Sequence, residues 1–494
     1  MPRKPLVIEI PALGALDAAP GEIGRRLAEA LRGAILKGEL KARERVPSTR
    51  SLAGSLGLAR GTVSVAYAQL VAEGYLEARI GSATRVAADL HRLAISDATD
   101  ARRKPAPRRP SPPATATANA TPPATSAYAA LATRLSALPS VPFSIAVPEG
   151  EVAMDHHWHR LSKRIRATPA AAPSGYPDAQ GLPALRTALA DYLRKSRAVD
   201  CDPEHIIITE GTQQGLYLAA KVLLQAGDFA WAEDPAYSGL TAVLEDRGVQ
   251  VQRVPVDHQG FNVAAALQAC PQAKAAFVTP SHQYPIGMPL SMARRIALTD
   301  WAASHNRWIV EDDYDSELRY AGQPFPAMQG LDRERVIYLG TFSKVLAPSL
   351  RLGYIVAPEA LVAAFTGARA LIGRGSPLSE QHVIATYMRE GYFETHIRRI
   401  RSLYGEKRQI LIDALRRELP ALRIQPADQG MHIVLWLADD VAVAARAQAA
   451  GLAVRALSPM CHATPPLSGL MLGFGGYTAP QLQATVKKLR QLLS

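Results

Sequence analysis

The chain has 494 residues, 48% of them hydrophobic, which is too long for a single folding unit and supplies ample apolar material for a large core. Its net charge of +12 is concentrated at the front, where residues 1–110 hold 19 Lys and Arg against 11 Asp and Glu. This excludes a uniformly basic protein and suggests a nucleic-acid module joined to a nearly neutral body. Three widely spaced cysteines, Cys201, Cys270 and Cys461, fit reduced structural thiols and offer no zinc spacing, so no metal site is expected. With no run of ~20 apolar residues and no signal-peptide core, a cytoplasmic protein without membrane contact is expected.

Apolar residues recur at helical spacing from Ile23 through Leu27, Leu31 and Ala34 to Ile35, predicting an amphipathic first helix. "VPSTRSLAGSLGL" offers Ser48 or Thr49 as an N-cap and Gly57 as the break after a short second helix. Val63, Ala66, Tyr67, Leu70 and Val71 mark a third. After Gly74, "YLEAR" and "TRV" joined by "IGSA" read as a hairpin. Helix, helix, turn, helix and hairpin make a winged helix-turn-helix, whose third helix enters a major groove.

The stretch "RVPSTRSLAGSLGLARGTVSVAYAQLVAEGYLEARIGSATRV" resembles the DNA-binding domain of GntR-type bacterial regulators, over residues 15–87. The resemblance implies that Arg50 and Thr62 touch phosphates, that Arg60 reaches base edges or phosphates, and that Arg79 and Gly81 shape the wing contact. Ala59 stands where the family usually has a capping serine, and Ala83 where the wing has a second glycine; a missing cap costs about 1 kcal/mol of helix stability.

Residues 88–142 read as a flexible linker, since Ala and Pro make up 21 of the 42 residues from 101 to 142. At roughly 5–6 Å times the square root of its length, its reach is about 40 Å. From 143 to 494, strand-like runs ("HIIIT", "AAFVTP", "RWIVEDD", "RVIYLGT") alternate with helical segments, predicting an α/β body with a mainly parallel sheet.

In "TFSKVLAPSLRLGY" a lone lysine, Lys344, follows the strand "RVIYLGTF", at the sheet edge where α/β proteins place their sites. A lysine there can condense with an aldehyde, as pyridoxal phosphate requires. The same cofactor needs a phosphate clasp, a carboxylate for its ring nitrogen and an aromatic face. Thr341 and Arg351 bracket the lysine; Gly211, Thr212 and Gln213 sit between a strand and a helix, where N–H groups favour an anion. Asp312 and Tyr314 end a strand, and Tyr237 is a candidate stacking face. Each of these also has an ordinary reading: a lysine snorkelling from a loop, tyrosines packing in a core, His282 capping a strand.

In order and spacing these motifs resemble fold-type I aminotransferases, specifically the MocR group, in which a GntR-type domain is joined to an aminotransferase-like domain with a smaller C-terminal subdomain. The resemblance implies pyridoxal 5'-phosphate as cofactor, with Lys344 as its Schiff-base lysine (the internal aldimine) and Asp312 on the ring nitrogen. It further implies Tyr314 on the phenolate oxygen, Tyr237 on the ring, and Thr341, Arg351, Thr212 and Gln213 around the phosphate. Tyr176 would reach a neighbouring subunit's cofactor, which implies a homodimer. Tyr284 replaces the asparagine that enzymes of this fold carry before the proline.

Enzymes of the fold also hold the substrate α-carboxylate with an arginine in the last strand, where this chain has Leu470, Met471 and Leu472. That argues against efficient transamination unless another arginine, such as Arg374, substitutes, and for a regulator that binds promoter DNA and senses the cofactor or an amine or amino-acid effector. The alternatives are a working aminotransferase with an accessory DNA-binding domain, and a body that only dimerises.

Overall fold

Leucines and alanines at helical spacing build the first of two compact units into which the chain divides, Met1–Ala118 and Asn119–Ser494. A computed structural model describes residues 23–78, 83–88, 125–136, 139–149, 154–320, 325–425 and 428–493. In the first unit, helix Ile23–Leu36 buries Leu27, Ala28, Leu31, Ala34 and Ile35 against Val63, Ala66, Tyr67 and Leu70 of helix Arg60–Ala72. Between them, helix Thr49–Leu56 starts where the Ser48 hydroxyl accepts the Ser51 N–H at 3.1 Å, and stops at Gly57, whose φ of 65° is left-handed. Ala59 gives the third helix no side-chain cap, as expected, whereas Val71, expected on the buried stripe, is exposed. Two anchors hold the third helix. The Tyr67 hydroxyl donates to the Pro47 carbonyl at 2.9 Å, and Arg32 donates from Nη2 and Nε to the two Glu73 carboxylate oxygens at 2.8 and 3.0 Å. Strands β1 (Leu76–Glu77) and β2 (Arg85–Val86) pair antiparallel as the base of the wing.

The second unit is organised by an eight-stranded sheet of β3 (Ile206–Thr209), β4 (Phe229–Asp234), β5 (Gln250–Asp257), β6 (Gly260–Phe261), β7 (Ala275–Val278), β8 (Trp308–Asp313), β9 (Val336–Thr341) and β10 (Gly353–Val356). Its order is β3-β10-β9-β8-β7-β4-β5-β6. The central strands β9, β8, β7, β4 and β5 run parallel, and β10 lies antiparallel to both of its neighbours. Both faces are covered, which is why β3, β7 and β9 read as continuous apolar runs rather than alternating ones. Ile207, Ile337, Leu339 and Ile355 face one apolar cluster with Leu216, Leu240 and Phe365, while Ile206, Ile208, Tyr338 and Tyr354 face another with Leu189 and Phe393. A smaller antiparallel sheet, ordered β11 (His432–Trp436), β13 (Gly469–Gly473), β12 (Arg455–Ala456), follows near the C-terminus.

The expected linker is corrected in its second half, where Thr125–Arg134 is a helix and the Tyr128 hydroxyl donates to Asp246 Oδ1 at 2.7 Å. The prolines of this stretch stop at Pro123 and resume at Pro139, and the residues between are mostly good helix formers. Among the described residues no helix is long and apolar enough to cross a membrane.

Candidate functional site

Strand β9 ends at Thr341 and the turn after it carries Lys344 into a cavity of about 420 Å³. The turn is built by Thr341, whose Oγ1 accepts the Ser343 N–H at 3.1 Å and donates to the Ser343 hydroxyl at 3.0 Å. Thr341 is therefore buried under the lysine and supports the turn, not the cavity wall. Thr212, Tyr237, Tyr284, Asp312 and Tyr314 of the expected set line the cavity together with Lys344.

Asp312 is oriented by the alternation of β8. Its neighbours Glu311 and Asp313 point to the opposite side and are fully engaged there. Glu311 accepts the Met328 and Gln329 N–H groups, each at 3.1 Å; Asp313 pairs with buried Arg197 at 2.7 Å and accepts the Tyr338 and Ser316 hydroxyls. Among the described residues Asp312 has no such set, and its buried Oδ1 has no partner. Burial, then the charge of Asp313, pushes its carboxyl up to about 7, with Lys344 pulling the other way. Lys344 shifts in the complementary direction: burial lowers its amine below the usual lysine range, opposed by Asp315 and Asp312.

Beside Asp312, Tyr314 places its hydroxyl 3.0 Å from His282 Nδ1, which also lies 2.9 Å from Asp315 Oδ2. His282 Nε2 is buried and, among the described residues, has no partner. His432 on β11 has its Nε2 at 2.9 Å from the Pro285 carbonyl and so carries its proton there; burial, then His282, lowers it to about 4, leaving a neutral ring. Gly430, at φ 83°, is needed behind this group, since a Cβ there would stand 2.3 Å from His282 Cε1 and 2.7 Å from Asp315 Oδ2.

The aromatic wall is Tyr237 edge-on to Tyr284 at 5.8 Å, itself edge-on to Tyr314 at 5.8 Å. Tyr237 caps helix Ser238–Asp246, and Gln213 donates to the Gly239 carbonyl at 3.1 Å while its buried Oε1 has no partner among the described residues. A Cβ at Gly239 would come within 2.3 Å of Gln213 Oε1 and 2.4 Å of Tyr237 Cε1, so a side chain there would have to push one of these groups aside. Thr212 begins helix Thr212–Leu223 after Gly211, whose φ is 93°. Two helix N-termini thus converge on one end of the cavity, at Thr212 and Ser238. Arg351 lies against Gly211, 3.7 Å from where a Cβ would be, and donates to the Glu210 carbonyl at 2.7 Å. Gly211, Gln213 and Arg351 back this end without lining it.

Tyr176 is not brought to this cavity. It is 81% exposed, stacked under the Arg374 guanidinium at 4.9 Å beside a second, more open depression. Arg374, considered above as a substitute cation, therefore does not face Lys344 within this chain. Met471 is buried in β13. Sequence reasoning missed Arg455, which lines the cavity from the two-residue strand β12, and missed the wall made by Leu135, Ser140 and Ser144–Val147. A short isolated strand offers no periodicity, and the latter residues were counted as linker or its margin.

In the first unit Arg50 and Arg60 are exposed in the first turns of the second and third helices, and Thr62 is half-buried. Arg79 and Gly81 lie outside the described residues.

Residues 153–461 match the family described as aminotransferase class I and II, and residues 23–86 match the bacterial regulatory proteins of the gntR family. A probable rhizopine catabolism regulatory protein, MocR, of Rhizobium meliloti is 38% identical over 478 residues, covering 94% of this chain and 92% of that one. The HTH-type pyridoxine biosynthesis transcriptional regulator PdxR of Corynebacterium glutamicum is 34% identical, covering 96% and 97%. The solved α-aminoadipate aminotransferase LysN of Thermus thermophilus, complexed with N-(5'-phosphopyridoxyl)-L-leucine, matches at 26% identity and a TM-score of 0.65, over 71% of this chain and 91% of that one.

Proposed function

The chain belongs to the MocR-type transcriptional regulators, a GntR-family winged helix joined to a class I and II aminotransferase domain, and on that premise we propose that its larger unit holds pyridoxal 5'-phosphate on Lys344 and senses an amine there. The aminotransferase family is pyridoxal-phosphate-dependent. The observation that carries the proposal for this chain is Asp312: a half-buried carboxyl whose Oδ1 is buried and, among the described residues, unpartnered, in one cavity with the half-buried Lys344. A protonated ring nitrogen would supply the missing donor and return Asp312 to its ionised form.

The remaining groups divide the work. The start of helix Thr212–Leu223, with Ser238 and the Arg351 guanidinium behind Gly211, suits a phosphate. Tyr237 offers a ring face and Tyr314, held by His282, a hydroxyl for the phenolic oxygen. Pyridoxal phosphate, when bound, supplies an electrophilic carbon that exchanges one amine for another. Lys344, its amine lowered by burial, is the resident amine that an effector displaces.

In this reading the cofactor site is a sensor. The buried apolar Met471 leaves the last strand without the carboxylate-binding cation of a turnover enzyme. Arg50, Arg60 and Thr62, with Arg79 and Gly81 on the wing, hold promoter DNA, and a homodimer presents two such heads to two half-sites. The action then belongs to the cytoplasm, where the promoter is.

The test is the visible absorption spectrum of the purified full-length protein supplied with pyridoxal phosphate, before and after borohydride, beside Lys344→Ala, together with operator affinity in both states. A band fixed by reduction and absent in the variant is expected, with operator affinity that differs between loaded and cofactor-free protein. No band in the wild type removes the cofactor reading; equal operator affinities remove the sensing one.

A further inference from the structure

Helix Arg60–Ala72 departs from the pattern expected of a surface helix. Helix Ile23–Leu36 of the same unit buries one stripe and turns Arg25, Arg26 and Glu29 outward. In Arg60–Ala72 the buried stripe is Val63, Ala66, Tyr67 and Leu70, but beyond Arg60 none of its exposed residues is charged. At about 100° per residue, Gly61, Val65 and Ala68 fall on the face opposite that stripe. Val65 is 65% exposed, more than any other large apolar side chain among the described residues of the first unit.

One exposed valine is ordinary on a protein surface. A helix that turns no charge outward past its first residue is not, and its outer face calls for a covering. The unit matches the gntR family of bacterial regulators, and the recognition helix of such a motif enters the major groove leading with its N-terminal residues. Arg50 and Arg60, exposed in the first turns of two helices, supply the charge that a phosphate backbone requires. Gly61 and Ala68, each one turn from Val65, carry no bulk that would hold the helix away from the base edges. Val65 is then the side chain of this face that reaches furthest. An isopropyl group can neither donate nor accept a hydrogen bond, and the feature of a base edge that it can recognise by contact is the C5-methyl of thymine, which lies in the major groove.

We propose that Val65 reads a thymine methyl in each half-site of the operator and is a specificity-determining residue, acting by apolar contact where Arg50 and Arg60 act by charge. The proposal rests on the reading of the first unit as a DNA-binding head that uses this helix.

The experiment lets the full-length protein, supplied with pyridoxal phosphate, select duplexes from a random pool, and then replaces each thymine of the selected duplex in turn by uracil. Uracil keeps every base-pairing hydrogen bond and removes only the methyl. Burying a methyl is worth about fourfold in affinity, so one thymine per half-site should show that loss, and about 15-fold when both are replaced. In Val65→Ala the unmodified duplex should bind more weakly and the same uracils should cost nothing, the coupling expected of two groups in contact. The slope of log affinity against log salt should stay at the wild-type value, since no phosphate contact is lost. Alanine is the better helix former, and thermal unfolding of the first unit checks that the variant is folded. A wild type indifferent to every uracil, or a sensitivity that persists in Val65→Ala, overturns the proposal while leaving the DNA-binding head intact. Indifference to uracil together with weaker self-association in Val65→Ala overturns it by assigning the face to a second copy of the chain. A pool that yields no enriched duplex overturns the DNA-binding reading and the proposal with it.

Discussion

Replacing Asp312 by asparagine should push the cofactor-free and the cofactor-loaded protein in opposite directions. In the cofactor-free protein the Asp312 carboxyl is raised from 3.8 to about 7, chiefly by burial. A carboxyl raised on folding is tolerated while it is protonated in both states, below pH 4, and penalises the folded state increasingly as pH climbs from the unfolded value towards the folded one, levelling off above it. At 1.36 kcal/mol per pKa unit the penalty is roughly 4 kcal/mol at pH 8 and under about 2 kcal/mol at pH 5. Asp312→Asn, nearly isosteric and uncharged, removes it, so the cofactor-free larger unit should gain about 2–4 kcal/mol at pH 8 and little at pH 4. In the loaded protein the same substitution removes an ionic hydrogen bond worth about 1.5–3 kcal/mol, or roughly a 10- to 150-fold loss of pyridoxal phosphate affinity. Denaturant unfolding at several pH values gives the first quantity and fluorescence titration with the cofactor the second. A variant that is less stable than wild type at pH 8, or that binds the cofactor within about threefold of wild type, would refute the assignment of Asp312 to a ring cation.

Gly239→Ala should displace the Tyr237 ring or the Gln213 amide, both within 2.4 Å of the new methyl, and lower cofactor affinity at least about tenfold, with thermal stability of the first unit unchanged. Arg197→Met strands the buried Asp313 carboxylate under β8 and should cost about 3–5 kcal/mol in denaturant unfolding of the larger unit. Arg60→Ala should weaken operator binding and, if the side chain meets one phosphate, reduce the slope of log affinity against log salt by about one; an unchanged slope with lost discrimination between operators would assign it to a base edge.

Much of this was legible because the informative residues are locally encoded. The first-unit helices follow from apolar spacing and from Ser48 and Gly57, which cap by chemistry that needs only neighbours. Lys344 could be placed at the sheet edge because the strand before it is a continuous buried run. What escaped notice depends on distant chain. Arg455 is 111 residues beyond Lys344 in a strand of two residues, and no local pattern records its place on the cavity wall. The helix Thr125–Arg134 was averaged away by the composition of the prolines ahead of it. Thr341 is a hydroxyl noticed from sequence whose bonds in this structure shape the loop, a role that only the fold displays.

The wall formed by Leu135, Ser140 and Ser144–Val147 is the same polypeptide that, fewer than twenty residues upstream of Leu135, leaves the larger unit at Asn119 for the one that carries the winged helix. In the sensing reading proposed above, a guest in the cavity would touch this stretch of chain, which leads within the larger unit to its boundary at Asn119.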